Sequence, residues 1–463
     1  MAWQEFSLSE AGSHTDMKES AGKIAGGILM PVENPDSQAS ELSDTESLRS
    51  KRVAVVVFSH YPSDPRPRRA AEALAQLGMK VEVISLRQND QEPLREIFNG
   101  VNILRVPLKH WRGGKIAYVF QYGYFILSAF FLLTFRSLTR RYSLVHVHNM
   151  PDVLVFAALV PKICGAKVIL DLHDPMPELM MTIFNLKRES LGVRMLQLLE
   201  KWSISFADAV LTPNIAFQKL FAARSCRADK LRVVMNSPDE KIFKYRDSIQ
   251  QTPAVRDPTK PFIIMYHGAI VERHGLDIAV QALESLIRSI PNAELRIFGH
   301  PTPFVHQVME LVRERGLQKA VRYMGARSLD QIAEAIDDCD VGIIPNRRSV
   351  FTEINMPTRI FEYLARGKPV IAPLAAGIQD YFSSDDLIFF ELGDADDLAR
   401  KIGYVFSQPR DAAEIVKRGQ AVYRAHQWSE ERSGLVVLVG ELLNGVGHTH
   451  CPRTLPAITP GKS

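Results

Sequence analysis

Residues 353–380 read EINMPTRIFEYLARGKPVIAPLAAGIQD, and this stretch decides the fold. Pro357 fits the first turn of a helix, where its missing N–H is one of the donors that no intrahelical carbonyl could satisfy. Ile360, Phe361, Leu364 and Ala365 recur at one-face helical spacing, with Arg359 and Glu362 three apart on the opposite side. Gly367 stops the helix, Pro369–Ala372 reads as a short buried strand, and Gly377 turns into a further helix carrying Asp380. A helix N-terminus beside a cation attracts phosphate, and a carboxylate one turn inside suits ribose hydroxyls. The competing reading of Arg359 and Glu362 is an exposed pair contributing roughly a few tenths of a kcal/mol.

A chain of 463 residues is too long for one ordinary core and suggests two domains. The hydrophobic share of 46% and charged share of 23% are those of a globular protein. A net charge of +4 is small for this length and argues against a nucleic-acid partner. Cys164, Cys226, Cys339 and Cys451 lack CxxC spacing, which points to reduced thiols in a cytosolic protein. Residues 1–50 are rich in Ser, Glu, Asp and Gly without an apolar run behind a basic start. They are expected to be disordered and to carry no secretory signal, and residues 446–463 read as a disordered tail.

Between these ends the chain alternates strand and helix. Val53–Phe58 is a β-branched run, followed by SHYPSDPRP in place of a GxGxxG turn, then a helix over Arg68–Leu77 and a strand over Val81–Leu86. Further strands are expected at Val101–Val106, Leu144–Val147, Val168–Leu172, Ala209–Thr212 and Leu231–Val234. These make a first doubly wound domain over residues 51–245. Residues 246–260 are polar with two prolines and read as a linker. The rhythm restarts at Phe262–Tyr266 and runs through Glu294–Phe298, Val321–Met324 and Val341–Ile344 into the opening stretch, a second domain over residues 261–410. Residues 411–445 read as closing helices.

Residues 116–135, IAYVFQYGYFILSAFFLLTF, approach membrane-span length, and Arg136, Arg140 and Arg141 follow directly. Two readings stand: a helix packed on the sheet, or a helix lying on a membrane face through residues 116–141, anchored by its arginines.

FEYLARGKPVIA followed by GIQD resembles the nucleotide-sugar motif of the retaining glycosyltransferases of family 4, and the likeness extends over about residues 52–445. It implies an α/β protein of two Rossmann-like doubly wound parallel-sheet domains facing a cleft (the GT-B fold), with the closing helices crossing back to the first domain. The second domain would bind a nucleotide diphosphate sugar as substrate, with no cofactor and no metal. The first would take a glycan or lipid-linked acceptor, in polysaccharide or glycoconjugate assembly. The place would be the cytoplasm, possible contact being peripheral on the inner membrane face.

The resemblance also carries over residue by residue. In DLHDPMPE, His173 matches the histidine that lines the sugar site, while Asp174 and Glu178 either orient acceptor hydroxyls or cap a helix. HVHNMPD places His146 and His148 on one strand face and Asn149 in the loop beyond, with His146 read as a core residue. Three histidines and an aspartate also allow zinc, but no helical HExxH accompanies them. In SDPRPRR, Arg66 and Arg69 face either an acceptor phosphate or solvent. In YHGAIVERHGLD, Gly268 ends a strand, Ala269 takes the place of one usual cation, and Arg273 takes the place of the second. Arg273, Arg359 and the N–H groups after Pro357, Thr358 among them, would hold the diphosphate. Glu362 matches the second of the family's two spaced glutamates. Ile354 occupies the first position, with Glu353 one residue away as its substitute. The competitors are a non-catalytic subunit of the same fold and a sugar-nucleotide 2-epimerase, which would need carboxylates placed for proton transfer.

Overall fold

The computed structural model describes residues 47–108, 115–248, 257 and 259–445. The expectations for residues 1–46, 446–463 and most of 249–258 lie outside the described residues. Order begins before the basic pair Lys51–Arg52: Leu48 is buried in the first domain, and the Ser50 N–H donates to the Gly78 carbonyl.

The first domain holds β1 (Arg52–His60), β2 (Lys80–Leu86), β3 (Arg95–Phe98), β4 (Val101–Val106), β5 (Leu144–His148), β6 (Lys167–Asp171), β7 (Ala209–Thr212) and β8 (Leu231–Val233). Their spatial order is β3-β4-β2-β1-β5-β6-β7-β8, parallel apart from β3, which runs antiparallel to β4. Sequence reading did not find β3 because REIF is a polar edge strand with no buried run to mark it. The second domain holds β9 (Phe262–His267), β10 (Ala293–Phe298), β11 (Val321–Gly325), β12 (Val341–Ile343), β13 (Val370–Pro373) and β14 (Ile388–Phe390). Their order is β11-β10-β9-β12-β13-β14, with every pairing parallel. In both sheets the order reverses beside the first strand, which places the ligand crevice at the carboxyl ends of β1 and β5, and of β9 and β12.

Parallel strands buried on both faces require apolar side chains on both, and the Val/Ile/Leu runs supply them. One face of the first sheet is covered by helices Lys115–Thr139, Leu191–Phe206 and Ile215–Arg224, whose Phe125, Leu133, Ile204, Phe217 and Phe221 join its core. The other face takes helix Pro65–Gln76 and the last helix, Trp428–Asn444, whose Leu435, Leu438 and Val439 pack with Val53, Val55 and Leu74. The chain leaves the first sheet earlier than the polar stretch suggests. Met235 and Phe243 already pack with Ile360 and Phe361 of the second domain, and the Arg246 N–H bonds the Ala365 carbonyl.

Within helix Lys115–Thr139, Val119–Thr139 has a mean hydropathy of 1.3 and the length to cross a membrane. The helix joins β4 to β5, two strands of one sheet, and packs on that sheet through Phe125, Ala129 and Leu133. Its outer face remains apolar: Phe120 is 74% and Leu138 70% exposed.

Candidate functional site

The second half of the site is built on the end of β9. Gly268 has φ +123°, and a Cβ added there would lie 3.3 Å from the Cδ of Arg359. Over this glycine Arg359 passes its guanidinium, donating from Nη1 to the His267 carbonyl at 2.7 Å and stacking 4.8 Å above the Tyr266 ring. One turn further along helix Arg359–Ala365, Glu362 points back at the same strand end, with Oε2 3.3 Å from His267 Nε2. Arg359 and Glu362 are therefore not an exposed surface pair. Each meets His267, and Ile360, Phe361, Tyr363 and Leu364 are buried around them. Burial pushes the Glu362 carboxyl up to about 7, opposed by Arg359 and by Arg69 of the first domain. The same burial, with Arg359 beside it, holds His267 well below the usual imidazole value, so the pair is neutral below about pH 7.

Arg273 lies on the short turn Glu272–His274. Gly275 caps this turn at φ +65°, and an added Cβ would meet the Pro345 carbonyl oxygen at 2.0 Å. The Arg273 carbonyl in turn accepts from the Arg347 N–H at 3.0 Å. The loop after β12 thus braces the turn, and the buried Nε of Arg273 has no protein partner. Burial lowers the pKa of Arg273, with Asp174 pulling it back up. Asp174 belongs to the first domain, so the two face each other across the cleft. Burial raises Asp174 to about 7 against the pull of Arg273 and Arg66, and its Oδ2 is likewise unpartnered.

His173 and Asp174 sit in the turn after β6. Asn149 fixes that turn: its Oδ1 accepts from the His173 N–H at 2.8 Å, and its Nδ2 donates to the Asp174 carbonyl at 3.0 Å and to Asp152 at 2.8 Å. His173 Nε2 lies 2.9 Å from His148 Nδ1, and burial holds His173 well below the ordinary imidazole value.

Other expected residues lie elsewhere. Arg66 faces neither acceptor phosphate nor solvent: it is buried, donates to both oxygens of Asp171 and bonds the Val234 carbonyl at 2.8 Å. Glu178 is buried in a chelate with Arg224, which also holds Glu200, because a carboxylate inside the helix layer needs a cation. Thr358 bonds the Asn236 carbonyl at 2.9 Å through its hydroxyl, tying the loop behind Pro357 to the interdomain crossing. Glu353 turns outward, 44% exposed and paired with Arg348 at 2.9 Å, while its carbonyl accepts from the Gly377 N–H.

His146, His148 and Asp171 bring three potential metal-ligand atoms within 4.8 Å of one another. Tetrahedral zinc bonds of about 2.0–2.1 Å would draw such atoms closer, and Arg66 already holds the carboxylate. His148 Nδ1 is instead engaged by His173 Nε2 at 2.9 Å.

Two family models match the chain in tandem, a glycosyl transferase 4-like domain over residues 63–237 and glycosyl transferases group 1 over residues 247–422. The chain belongs to the group 1 glycosyltransferases. WcaL of Escherichia coli (strain K12), a glycosyltransferase named for colanic acid biosynthesis, is 26% identical over 194 residues, 40% of this chain and 47% of WcaL. The D-inositol 3-phosphate glycosyltransferase of Corynebacterium urealyticum is 24% identical over 32% of this chain and 37% of its own length. The matched segments thus span less than half of either relative. Sucrose-phosphate synthase from Thermosynechococcus elongatus superposes with a TM-score of 0.65 at 18% identity, over 85% of this chain and 98% of that one. Anabaena HepE in complex with UDP-glucose gives 0.61 at 15% identity, over 85% and 100%. These likenesses show the fold: two Rossmann-like domains in the GT-B arrangement.

The first glycosyltransferase match covers Arg66, His148, Asn149, His173, Asp174 and Glu178. The second covers Gly268, Arg273, Glu353, Pro357, Thr358, Arg359 and Glu362. Sequence reading missed His267, Asp171 and Asn236. A signal existed for the first two, each being the last residue of a core strand within two positions of a residue already singled out. Asn236 carried none, since its role comes from the crossing between domains.

Proposed function

We propose that the chain transfers a glycosyl unit from a nucleotide diphosphate sugar to a glycan or lipid-linked acceptor, retaining the anomeric configuration and using neither metal nor cofactor. The observation that carries this reading is the opposition of Arg273 to Asp174 across the cleft, with Arg359 fixed at the end of β9 and Glu362 one helical turn behind it. Breaking the bond between the anomeric carbon and the diphosphate moves negative charge onto the leaving group. Arg273 and Arg359 are cations held in place before that charge forms, which is where electrostatic stabilisation acts most strongly. A ribose hydroxyl donating to Glu362 would replace the stabilisation its carboxylate lacks in the buried free site. The GT-B likeness to HepE, solved with UDP-glucose, supports a nucleotide-sugar donor, and the resemblance to WcaL supports polysaccharide assembly. His173, Arg273, Arg359 and Glu362 together favour a catalyst over an inert subunit, and opposition of the cleft carboxylate to an arginine disfavours a 2-epimerase.

Incubation with UDP-, GDP- and ADP-sugars, each with EDTA, tests this reading. Release of one nucleotide diphosphate, an unchanged rate in EDTA and a product whose anomeric proton matches the donor's configuration are expected. Arg273→Ala should lower kcat about 10²–10³-fold. No turnover of any donor, or an inverted product, would overturn the proposal.

The exposed row Phe120, Leu127, Phe131, Phe135 and Leu138, closed by the exposed Arg140 and Arg141, supports peripheral membrane contact as the route to a lipid-linked acceptor.

A further inference from the structure

Beneath the cleft, four buried polar side chains are not used by the transfer described above. They are Arg66, Asp171, His146 and His148, all under a tenth exposed. Parallel pairing sets His148 of β5 directly beside Asp171 of β6 on one face of the sheet. Helix Pro65–Gln76 covers that face, and its Arg66 reaches Asp171 with Nη2 at 2.7 Å and Nε at 3.1 Å from each oxygen. Burial alone would raise the pKa of Asp171, but Arg66 and the imidazoles of His146 and His148 hold it well below the ordinary carboxylate range. Asp171 is therefore an anion with a fixed direction.

His148 Nδ1 lies 3.3 Å from Asp171 Oδ2 and 2.9 Å from His173 Nε2. Burial, with His146 stacked 4.3 Å away, pushes His148 down to about 4, so its ring is neutral and carries one N–H. Were that proton on Nε2, it would be buried with no acceptor, and a bare Nδ1 would lie 3.3 Å from a carboxylate oxygen. The proton therefore sits on Nδ1. The unpartnered Nε2 of His148 is then a bare lone pair, which costs less than an orphaned N–H. His173 Nε2, only 2.9 Å from the nitrogen that carries that proton, must accept. The groups facing His173 are His148, Asp171 at 4.0 Å, Arg66 and His146; burial and the basic neighbours keep it neutral against the carboxylate. Its one proton then resides on Nδ1, the ring atom left for a ligand.

We propose that Asp171 and His148 are positioning residues that fix His173 as the neutral Nδ1–H tautomer, a preset hydrogen-bond donor to an oxygen of the bound nucleotide sugar. The identity of that acceptor rests on the glycosyltransferase reading, but the tautomer does not. The logic is that of a buried carboxylate orienting one imidazole, extended by a second imidazole.

The test uses the full chain with ¹⁵N-labelled histidine. Long-range ¹H–¹⁵N correlations report the tautomer, and His173→Gln assigns the signal. Wild type is expected to show Nδ1–H at His173, and His148→Phe to show Nε2–H or an average of the two forms. Turnover of UDP-glucose, GDP-mannose and ADP-glucose should fall about tenfold or more in kcat for His148→Phe, with KM for the donor within about twofold. His148→Asn, whose amide N–H replaces Nδ1–H, should recover roughly a third of kcat or more at a similar melting temperature. A charged or Nε2–H His173 in wild type overturns the proposal, and that spectrum decides the matter even if His148→Phe does not fold. An unmoved tautomer in His148→Phe, or a His148→Asn no faster than His148→Phe, overturns it as well. Absence of turnover in wild type with the Nδ1–H spectrum intact would instead sink the transferase reading and leave the tautomer standing.

Discussion

Glu362 shows how one buried residue ties binding to stability. Its folded pKa of about 7 lies above the ordinary value of 4.5, so in the free chain the protonated form is favoured. That contribution is complete below about 4.5 and is lost as pH rises toward 7. Glu362→Gln should therefore melt higher than wild type at pH 8, by on the order of 2–3 kcal/mol, and no higher at pH 4.5. A nucleotide sugar that needs the carboxylate must release this proton on binding. The nucleotide diphosphate sugar that the chain turns over, whose diphosphate does not titrate in this range, should accordingly bind wild type more tightly at pH 8 than at pH 6, while the variant shows no such trend. Calorimetry at the two pH values checks the second expectation and melting curves the first. A wild-type affinity flat with pH would remove Glu362 from the proposed donor site.

Among the elements, the turn that carries Arg273 is set by what lies behind it. Gly275 adopts φ +65° with the Pro345 carbonyl pressed against its Cα hydrogen. Gly275→Ala adds left-handed strain of about 1–2 kcal/mol and a clash with backbone that cannot swing aside. We expect a melting temperature lowered by several degrees and, because Arg273 moves with the turn, a fall in kcat on the order of tenfold. Unchanged kcat at a lowered melting temperature would mean that the turn does not position Arg273. Helix Arg359–Ala365 was legible from its apolar spacing, while Pro357, expected in its first turn, stands one residue ahead of the Thr358 cap. Its site-facing residues were legible as types only, because both readings of Arg359 and Glu362 share the same spacing. Burial against β9 separates them.

For the whole molecule, the apolar surface on the first domain is broader than one helix. Beside the row on helix Lys115–Thr139, helix Leu191–Phe206 exposes Leu191 (83%), Met195, Leu198 and Trp202, with Arg194 and Lys201 between them. Membrane docking predicts that the protein sediments with vesicles of anionic phospholipid and that about 0.5 M salt weakens this. Phe131→Gln with Phe135→Gln should reduce sedimentation about tenfold without lowering the melting temperature, because both side chains are exposed. Equal sedimentation of the double variant would exclude this face. The two domains also touch away from the cleft. The Ile215 N–H donates to the Tyr381 hydroxyl at 2.9 Å, and Lys219 pairs with Asp380, so the second domain bears on the first beside the opening motif.

By itself the sequence determined the two α/β halves, their parallel strands and the elements that end at the cleft, because burial on both faces demands apolar runs of strand length between helical periods. It also pointed to the residue types gathered at the crevice, since strand-end and helix-start positions of this fold all open onto it. Tertiary structure decided which of those residues are available. Arg66 and Glu178 look the same in sequence as Arg273 and Asp174, yet the first two are consumed by Asp171 and Arg224 inside one domain. The second two face each other across the gap between domains, each with a buried polar atom unpaired. Partners 46 residues away for Glu178 and 105 for Arg66 make that distinction, and no local spacing encodes it.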